Sequence, residues 1–542
     1  MIVSHIIKHK DMGDDDLNSF GRFIVNGSLM TLVALFMRAV SVIFNVYISN
    51  QIGAEGLGLF TLITTVYGFA LTVATSGVNL AATRLVSEAL GKCKSNTNKT
   101  PQKNKELEVI VKKCINYSLA FSLSVGIVLF LSADFIGNKI LFDKRTISSL
   151  RLLAFTLTPT AISSALSGYF TAVRRVYKNA IVQLFSQFTR IFVTVLIFSL
   201  IYAADTEKAC LGIVCGTALS EVLSFALQFI LYINEKNEKT SFKIDKDYKK
   251  NVHKKLLGIA LPVAFSTYLR SGLISLEHIL IPIGLEKSGA NKSASLAAYG
   301  TVQSMVFPIV LFPSAILSSF AGLLIPEVAE SNAANNAEKI KRISEKVFKT
   351  ALLFAIGAAG IIGCFAKLLG DGIYPGSDAG KYIRVIAPLI PVMYIDTSTD
   401  AILKGLGEQV YTMFVNIVDA GLSVILVIIL LPKFGIWGYI MTVYFTELLN
   451  ATLSITRLLS KVSFKPNVFT WIFKPIISII GATILTKYIF STLQFKFNSN
   501  ILELVICIVT SLTLYLLFLI ISGAVKRQQI KEIILYTKKS IT

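Results

Sequence analysis

Long apolar segments separated by short polar ones fill the sequence from residue 23 to residue 522. A helix needs about 20 mainly apolar residues to cross the hydrocarbon core of a membrane. By this measure the pattern predicts fourteen spans, at residues 23–49, 57–82, 115–132, 150–173, 180–203, 209–233, 256–284, 296–325, 347–369, 383–403, 411–431, 436–459, 468–490 and 501–522. We therefore predict an all-α integral membrane protein with about fourteen transmembrane helices.

The composition indicates the same class. Hydrophobic residues make up 54% of the 542 positions and charged residues only 16%, whereas soluble domains have about 25% charged residues. A water-soluble protein is thereby excluded. The first 21 residues are polar and contain three consecutive acids at 14–16, so we predict no cleavable signal peptide.

The sequence contains no pattern typical of catalysis or of cofactor binding. The six cysteines are scattered and the histidines number only four, so neither a disulfide framework nor a metal site is predicted. Walker A, G-x-S-x-G and H-E-x-x-H patterns are missing as well. We expect a membrane transporter without a cofactor, and neither an enzyme nor an ATP-driven pump.

Basic residues are in excess and unevenly distributed. The 53 lysines and arginines against 32 acids give a formal charge of +21, and with the N-terminus inside, 36 basic residues fall in inner segments and 13 in outer ones. Because basic residues concentrate on the cytoplasmic side of membrane proteins, we predict a multi-pass protein of the cytoplasmic membrane with both termini cytoplasmic. Its basic loops would face anionic membrane lipid rather than nucleic acid.

An internal repeat relates the two halves of the chain. GSLMTLVALFMRAV around Arg38 aligns with GIALPVAFSTYLRSG around Arg270 at an offset of 232, and LRLLAFTL around Arg151 aligns with YIRVIAPL around Arg384 at an offset of 233. Because each copy contains six helices, an even number, the two copies have the same orientation. Parallel repeats of this kind occur in secondary transporters and predict two pseudo-symmetric lobes around a central cavity.

The same patterns divide the chain into six segments. They are a cytoplasmic tail at 1–22, an N-lobe of helices 1–6 at 23–233, a cytoplasmic linker at 234–255, a C-lobe of helices 7–12 at 256–459, helices 13 and 14 at 460–522, and a cytoplasmic tail at 523–542.

Arg38 and Arg270 are the main functional signal. Both lie near the middle of a predicted span, at equivalent positions of the repeat. A charged group at the bilayer centre costs about 2.5 to 3.5 kcal/mol on insertion scales and normally has a partner, water or a function. Symmetry directs both arginines to the central cavity, where their planar guanidinium groups suit a phosphate-bearing ligand. The alternative is that each one holds two helices together through carbonyl oxygens.

Other charges within the spans suggest different roles. Arg190 and Glu221 lie on adjacent antiparallel helices at similar depth, so we predict a structural ion pair between them. Five acids are candidates for gating or for a cation or proton relay; the alternative is that those of helices 10 to 12 are polar residues hydrogen-bonded to Ser and Thr. They are Glu277, seven residues beyond Arg270, and Asp396, Asp400, Asp419 and Glu447.

Several motifs resemble a known superfamily. They occur in the same order as in the polysaccharide-exporter and lipid-flippase members of the MOP superfamily and span about residues 50 to 410. They are IGAEGLGLFTL at 52–62, SGVNLAATRLVSE at 76–88, GYFTAVRRVYKNA at 168–180, FSQFTRIFV at 185–193, LIPEVAES at 324–331 and LKGLGEQ at 403–409. The similarity is greatest to sporulation-associated members related to the MurJ-type lipid II flippases.

The resemblance implies a carrier that moves an undecaprenyl-pyrophosphate-linked saccharide across the membrane by alternating access. A lipid II-like peptidoglycan precursor, for instance one used in the spore cortex, is the expected cargo. In MurJ-like proteins, arginines of helices 1, 2 and 7 engage the pyrophosphate, and the matching positions here are Arg38, Arg84 and Arg270. Helices 13 and 14 would offer an apolar groove for the polyprenyl tail, and a cation gradient or the membrane potential would drive transport.

Two other functions remain open at this stage. A MATE-type multidrug or metabolite antiporter would use acids to bind sodium or protons and would carry cations, although paired cavity arginines favour an anionic cargo. A scaffold that recruits cell-wall synthases through lysine-rich loops needs no cavity, so the symmetric buried charge argues against it.

Overall fold

The computed structural model describes residues 14–94, 100–200, 205–235, 246–464, 466–493 and 500–525. Every regular element in these ranges is helical. The α-helices are α1 (Asp14–Thr75), α2 (Val78–Lys94), α3 (Thr100–Phe135), α4 (Ile147–Ala172), α5 (Val176–Leu200), α6 (Thr206–Ile233), α7 (Lys246–Lys287), α8 (Lys292–Gly300), α9 (Phe307–Leu311), α10 (Ser314–Ala333), α11 (Ala337–Cys364), α12 (Ala366–Ile373), α13 (Ala379–Ile386), α14 (Ile390–Gly405), α15 (Gln409–Phe434), α16 (Ile436–Lys461), α17 (Lys474–Leu493) and α18 (Asn500–Ile521). Short π-helical segments cover Ile136–Ile140, Thr301–Val306 and Phe469–Phe473, and 3₁₀ turns cover Lys144–Thr146 and Ala387–Leu389.

The prediction of an all-α membrane protein is confirmed. Within the described ranges, eleven helices are long and apolar enough to cross a membrane, and the count of fourteen stays a prediction. Several helices extend past the apolar segments that predicted them. The third predicted span, 115–132, is part of α3, which begins at Thr100, because the Lys and Glu residues before the apolar segment are good helix formers.

Two breaks divide the first long helical region. Gly53, inside α1, has φ 67° and ψ −176°, so the helix kinks between the first two predicted spans. The second break separates α1 from α2, where Ser76 has φ 43° and Gly77 has φ 68°. The predicted helix 57–82 is therefore interrupted. A positive φ is costly for a serine, and hydrogen bonds hold Ser76 there, because Tyr117 and Tyr268 contact its hydroxyl at 2.7 and 2.6 Å.

The described chain forms two compact units. The first contains residues 14–42, 301–419 and 443–525, and the second contains residues 43–300 and 420–442. The two six-helix lobes at 23–233 and 256–459 stay a prediction. Parts of the predicted cytoplasmic segments, at residues 1–13, 236–245 and 526–542, lie outside the described residues.

Each unit has its own apolar packing. In the first unit, Val328, Ile402 and Leu458 join α10, α14 and α16 in one buried cluster. In the second unit, Leu59, Leu150 and Val214 join α1, α4 and α6. Because lipid is as apolar as these side chains, close packing rather than exclusion from water holds such helices together.

In the second unit, α1 and α8 approach each other closely at two glycines. A Cβ atom on Gly58 would collide with the backbone of Leu296, and one on Gly300 would collide with the backbone of Ala54 and of Gly58. Small residues allow membrane helices to approach in this way. The two glycines therefore fix how closely α1 and α8 pack.

Candidate functional site

Arg270 is an exposed residue of α7 in the second unit. Its neighbours fasten α7 to the end of α1: Tyr268 Oη donates to Ser76 Oγ at 2.6 Å, and Ser271 Oγ donates to Thr72 Oγ1 at 3.2 Å. Within the described part of the chain, no hydrogen bond or ion pair holds the Arg270 guanidinium. The helix is thus held in place, while the charged group remains available to a ligand.

Arg38 is a half-buried residue of α1 in the first unit. Its charge acts on the phenol of Tyr394 in α14. Tyr394 is fully buried and donates a hydrogen bond to the Val310 carbonyl at 2.7 Å. Among the side chains that the structure describes, which begin at residue 36, none pairs with Arg38. The charge of Arg38 therefore lies near a buried phenol and has no pairing acid among the described side chains.

Arg84 differs from the other two arginines of the predicted substrate site. It is an exposed residue of α2, and its Nε donates to Glu88 Oε1 at 3.1 Å, one turn further along the same helix. Exposed pairs of this spacing contribute only about 0.3 to 0.5 kcal/mol. A weak bond of this kind holds Arg84 loosely, and its role in binding stays a prediction.

Arg190 and Glu221 interact at a distance, and other residues are their hydrogen-bonding partners. Arg190 donates to Gln187 and lies over the ring of Phe44, 5.8 Å from its centroid. Glu221 accepts from Thr160 at 3.3 Å. Each charge acts on the other electrostatically. The direct ion pair stays a prediction, and the contacts instead describe a polar layer that joins α1, α4, α5 and α6.

Three acids lie together in the first unit. The charges of Asp396 and Asp419 act on Glu447, so acids from α14, α15 and α16 are close neighbours. Asp396 also accepts a hydrogen bond from Ser454, while its Oδ1 atom is buried without a partner among the described residues. Acids grouped inside a membrane are typical of ion or proton pathways. Their predicted role as a relay is a hypothesis that this proximity supports.

Asp400 and Glu277, the two remaining acids, have different surroundings. Asp400 lies one turn beyond Asp396 and forms an ion pair of 3.4 Å with Lys404 on the same helix. Glu277 is half-buried on α7, and its charge acts on the phenol of Tyr299 in α8. Glu277 is thus close to α8 in the second unit.

A network at the helix ends of the second unit joins segments that are distant in sequence. Arg145 binds Glu55 and Asp143, each at 2.8 Å, and Lys292 binds Asp143 at 3.2 Å. Ser293 donates to Glu55 at 2.5 Å. These contacts tie the start of α8 to the loop before α4 and to the segment after the Gly53 kink. The network includes the glutamate of IGAEGLGLFTL.

Asp143 is the centre of this network. Burial alone would raise the pKa of its carboxyl, but the hydrogen bonds from Arg145 and the charge of Lys292 together lower that pKa below its usual value of 3.8. Only 4% of its side-chain surface is exposed. The group is therefore held ionised, as charge-assisted hydrogen bonds favour.

His278 and Tyr299 were not among the residues predicted from sequence. His278 Nδ1 lies 2.8 Å from the hydroxyl of Tyr299, which is fully buried. The sequence offered one signal, because a histidine inside an apolar span is rare and normally has a function. Its partner could not be identified, since Tyr299 lies 21 residues away on another helix.

Two family models match most of the chain between them. Residues 23–281 match the model described as polysaccharide biosynthesis protein, and residues 288–429 match the MatE model. The two matches meet near the end of α7.

Individual proteins also match over most of their length. The chain is 24% identical to stage V sporulation protein B of Bacillus subtilis (strain 168), over 81% of this chain and 84% of that protein. It is 21% identical to the lipid II flippase MurJ of the same organism, over 79% of this chain and 81% of that protein. A solved structure of lipid II flippase MurJ in an inward closed conformation superposes with a TM-score of 0.65, at 14% identity, over 90% of this chain and 97% of that one.

The helical fold, its apolar spans and the matched family models define a multi-pass membrane transporter. More particularly, the chain resembles stage V sporulation protein B and the lipid II flippase MurJ, which are relatives in the MOP superfamily. The resemblance predicted from the motifs is thus confirmed, as is the link to membrane transport, polysaccharide biosynthesis and sporulation.

Proposed function

We propose that this protein is an alternating-access flippase for an undecaprenyl-pyrophosphate-linked saccharide. The cargo is a lipid II-like precursor of peptidoglycan, used in the spore cortex, and it crosses the cytoplasmic membrane. Both termini are cytoplasmic, and the basic loops face anionic lipid. Relatives named for lipid II transport and for sporulation support this choice of cargo.

The observation that carries the proposal is that the guanidinium of Arg270 has no hydrogen bond or ion pair among the described residues. A charge within a membrane span costs several kcal/mol unless it has a partner, water or a ligand. Neighbouring hydrogen bonds fix its helix, and no described residue neutralises it. Because a guanidinium matches two phosphate oxygens at once, a diphosphate headgroup is a ligand that suits this position.

Arg38 has the equivalent position in the sequence repeat, and we assign it the same role. Its half-buried charge, without a pairing acid among the described side chains, supports that assignment. Arg84 is assigned a weaker contact, because a ligand must compete with Glu88 for it.

The test is flipping of fluorescently labelled lipid II in proteoliposomes that contain the purified protein. Arg270→Ala should lower the rate about 10- to 100-fold, the equivalent of losing one hydrogen bond of about 1.5 to 3 kcal/mol to a charged group. Arg342→Ala is the matched control, since Arg342 is exposed and pairs with Glu338 on its own helix at 3.2 Å. Equal rates for wild type and Arg270→Ala would contradict the proposal.

A MATE-type cation antiporter is the second candidate function. The cluster of Asp396, Asp419 and Glu447 and the match of residues 288–429 to the MatE model favour it. An antiporter would export a cationic dye such as ethidium, and Glu447→Gln would abolish that export. Dye export without lipid II flipping would select this function.

In the flippase, the same acids have a coupling role. We assign them to a cation gradient or to the membrane potential as the driving force, because a group of carboxylates can bind and release a cation. Glu447→Gln should then slow lipid II flipping when a gradient is imposed and leave equilibrium exchange unchanged. An identical loss under both conditions would contradict the coupling role.

A further inference from the structure

The turn that joins α4 to α5 contains an arginine in a strained backbone conformation. Arg174 has φ 60°. Its backbone N–H donates to the Thr171 carbonyl at 3.1 Å, and that of Arg175 donates to the Phe170 carbonyl at 2.9 Å. This pair of bonds ends a helix with one left-handed residue, which is usually glycine, because a Cβ atom makes the left-handed conformation costly.

The second copy of the sequence repeat forms the same turn with a glycine. Between α14 and α15, Gly407 lies 233 residues after Arg174 and has φ 84°. Its backbone N–H donates to the Lys404 carbonyl at 3.2 Å, and that of Glu408 donates to the Leu403 carbonyl at 2.9 Å. The first turn therefore carries a strain that the second turn avoids. Such an outlier points to a role for the side chain.

No contact of the Arg174 side chain within the described residues offsets this strain. The side chain is exposed and forms no hydrogen bond, ion pair or ring contact with them. Its neighbours are already paired, because Glu235, just after α6, binds Arg175 at 3.0 Å and Lys178 at 2.6 Å. These three basic side chains and one acid leave an excess of two positive charges at the turn.

An exposed apolar face of α5 begins beside Arg174. It consists of Tyr177, Ile181, Phe185 and Phe188, which are all exposed, and their spacing of three or four residues places them on one side of the helix. An exposed apolar face of a membrane span contacts lipid, and a tyrosine at its end is typical of the boundary between acyl chains and headgroups. Arg174, three residues before that tyrosine, therefore lies at the level of the headgroups.

We propose that Arg174 binds the phosphate of an anionic glycerophospholipid, whose acyl chains lie along the apolar face of α5. A guanidinium can donate to two phosphate oxygens at once. The excess positive charge at the turn favours a headgroup with a net negative charge over a zwitterionic one. Assignment of the site to the cytoplasmic leaflet rests on the topology of the proposed function, whereas the site itself does not.

The first experiment measures lipid selectivity beside each turn. One protein carries Tyr177→Trp and another carries Val410→Trp, and both have Trp437→Phe and Trp471→Phe so that a single tryptophan remains. Val410 is the matched control, because it is exposed and occupies the same place after the second turn. In liposomes of phosphatidylcholine and phosphatidylglycerol, quenching of the tryptophan by the brominated form of either lipid gives their relative binding constant.

Selectivity should be confined to the first turn. Phosphatidylglycerol should bind about fivefold more tightly than phosphatidylcholine at position 177, with little preference at position 410. Arg174→Gly should reduce the preference at 177 to the level at 410, and Arg174→Lys should retain most of it, because lysine keeps the charge. Equal preferences at the two positions with Arg174 intact, or a preference at 177 that persists in Arg174→Gly, would overturn the proposal.

Soluble glycerol 3-phosphate distinguishes a lipid from a free phosphate. In large excess it should leave the quenching at position 177 unchanged, because it has no acyl chains to contact the apolar face of α5. Displacement of brominated phosphatidylglycerol by glycerol 3-phosphate would overturn the assignment to a lipid. None of these measurements involves flipping, so loss of the site would not bear on the proposed cargo.

Thermal unfolding tests whether Arg174 serves the fold instead. In micelles with phosphatidylcholine, Arg174→Gly should raise the melting temperature by about 1 to 2 °C, because the strain is removed. Adding phosphatidylglycerol should raise the melting temperature of wild type more than that of Arg174→Gly, since a bound ligand stabilises the folded state. Equal increases, or a lower melting temperature of Arg174→Gly without phosphatidylglycerol, would overturn the proposal. Asn335→Gly is the control: it relieves a φ of 52° after α10 and should leave the response to phosphatidylglycerol intact.

Discussion

The charges at the helix ends and the arginines within the spans are held in opposite ways. At the helix ends, Arg145 and Lys292 converge on Asp143, and every group has a partner within 3.2 Å. Within the spans, Arg38 and Arg270 have no ion pair among the described side chains. At the helix ends, ion pairs join segments that are distant in sequence. Within the spans, the two arginines have no protein partner among the described side chains.

If the proposed function holds, this contrast separates structural charges from those that bind substrate. A paired buried charge is strongly destabilising to break, because its partner is left alone. An arginine without an ion-pair partner contributes little to the stability of the fold. Its guanidinium can instead form favourable interactions when a ligand binds. Mutations in the two regions should therefore affect stability and transport in opposite proportions.

The largest loss of stability is expected for Arg145→Ala. The change removes two ion pairs and leaves the nearly buried Asp143 with Lys292 alone. The free energy of unfolding in mixed micelles should fall by about 3 kcal/mol. Arg151→Ala is the control, because its pair with Asp134 is exposed and is worth at most about 1 kcal/mol. Equal losses for the two variants would remove the distinction between the regions.

For Arg38 and Arg270, transport should change and stability should not. Lys at either position should restore part of the flipping that Ala loses, because it retains the charge but not the two-pronged geometry. Glu should be worse than Ala through repulsion of the diphosphate. The readouts are lipid II flipping and unfolding in the same preparations. A stability loss that accounts for the lost transport would place these arginines with the structural charges.

A smaller effect is expected for Arg190 and Glu221. Because Gln187 and Thr160 are their hydrogen-bonding partners, a double-mutant cycle with Arg190→Met and Glu221→Gln should give a coupling of about 1 kcal/mol or less. A direct ion pair would give about 3 kcal/mol. The measured coupling thus decides whether the predicted pair forms.

Acid should weaken the helix-end network. The pKa of Asp143 lies below its usual 3.8, so its contribution is complete above that value and is lost as pH falls through the lower pKa of the folded state. The melting temperature of wild type should approach that of Asp143→Asn only at such low pH. Convergence already at pH 6 would be inconsistent with this assignment.

The smallest effect is expected for Arg84→Ala. Its exposed pair with Glu88 should cost less than about 0.5 kcal/mol in unfolding. Flipping should fall by less than it does for Arg270→Ala, since Glu88 already occupies this guanidinium. A loss as large as that of Arg270→Ala would make Arg84 an equal member of the substrate site.

The sequence predicts the helices well, because the apolar segments required by a membrane are long. It does not predict the break at Ser76, since no proline marks it and the strain is offset by tyrosines from α3 and α7. The kink at Gly53 is signalled by the glycine and by the gap between two apolar segments.

The same limit of prediction from sequence applies to the charged residues. Depth in a span identifies Arg38, Arg190 and Arg270 as unusual, but partners depend on side-chain contacts that spacing does not encode. Arg145 and Glu55 lie 90 residues apart, and nothing in the sequence pairs them. Adjacent helices suggested Glu221 for Arg190, whereas a residue on its own helix, Gln187, is the hydrogen-bond acceptor.

The glycine contact between α1 and α8 restricts how these helices can move. Backbone lies directly on backbone at Gly58 and Gly300. Sliding by one helical turn would bring Leu62, which shares a face of α1 with Gly58, into a gap that has no room for a side chain. The two helices must separate before they shift, so a hinge motion is permitted here and a shear motion is excluded.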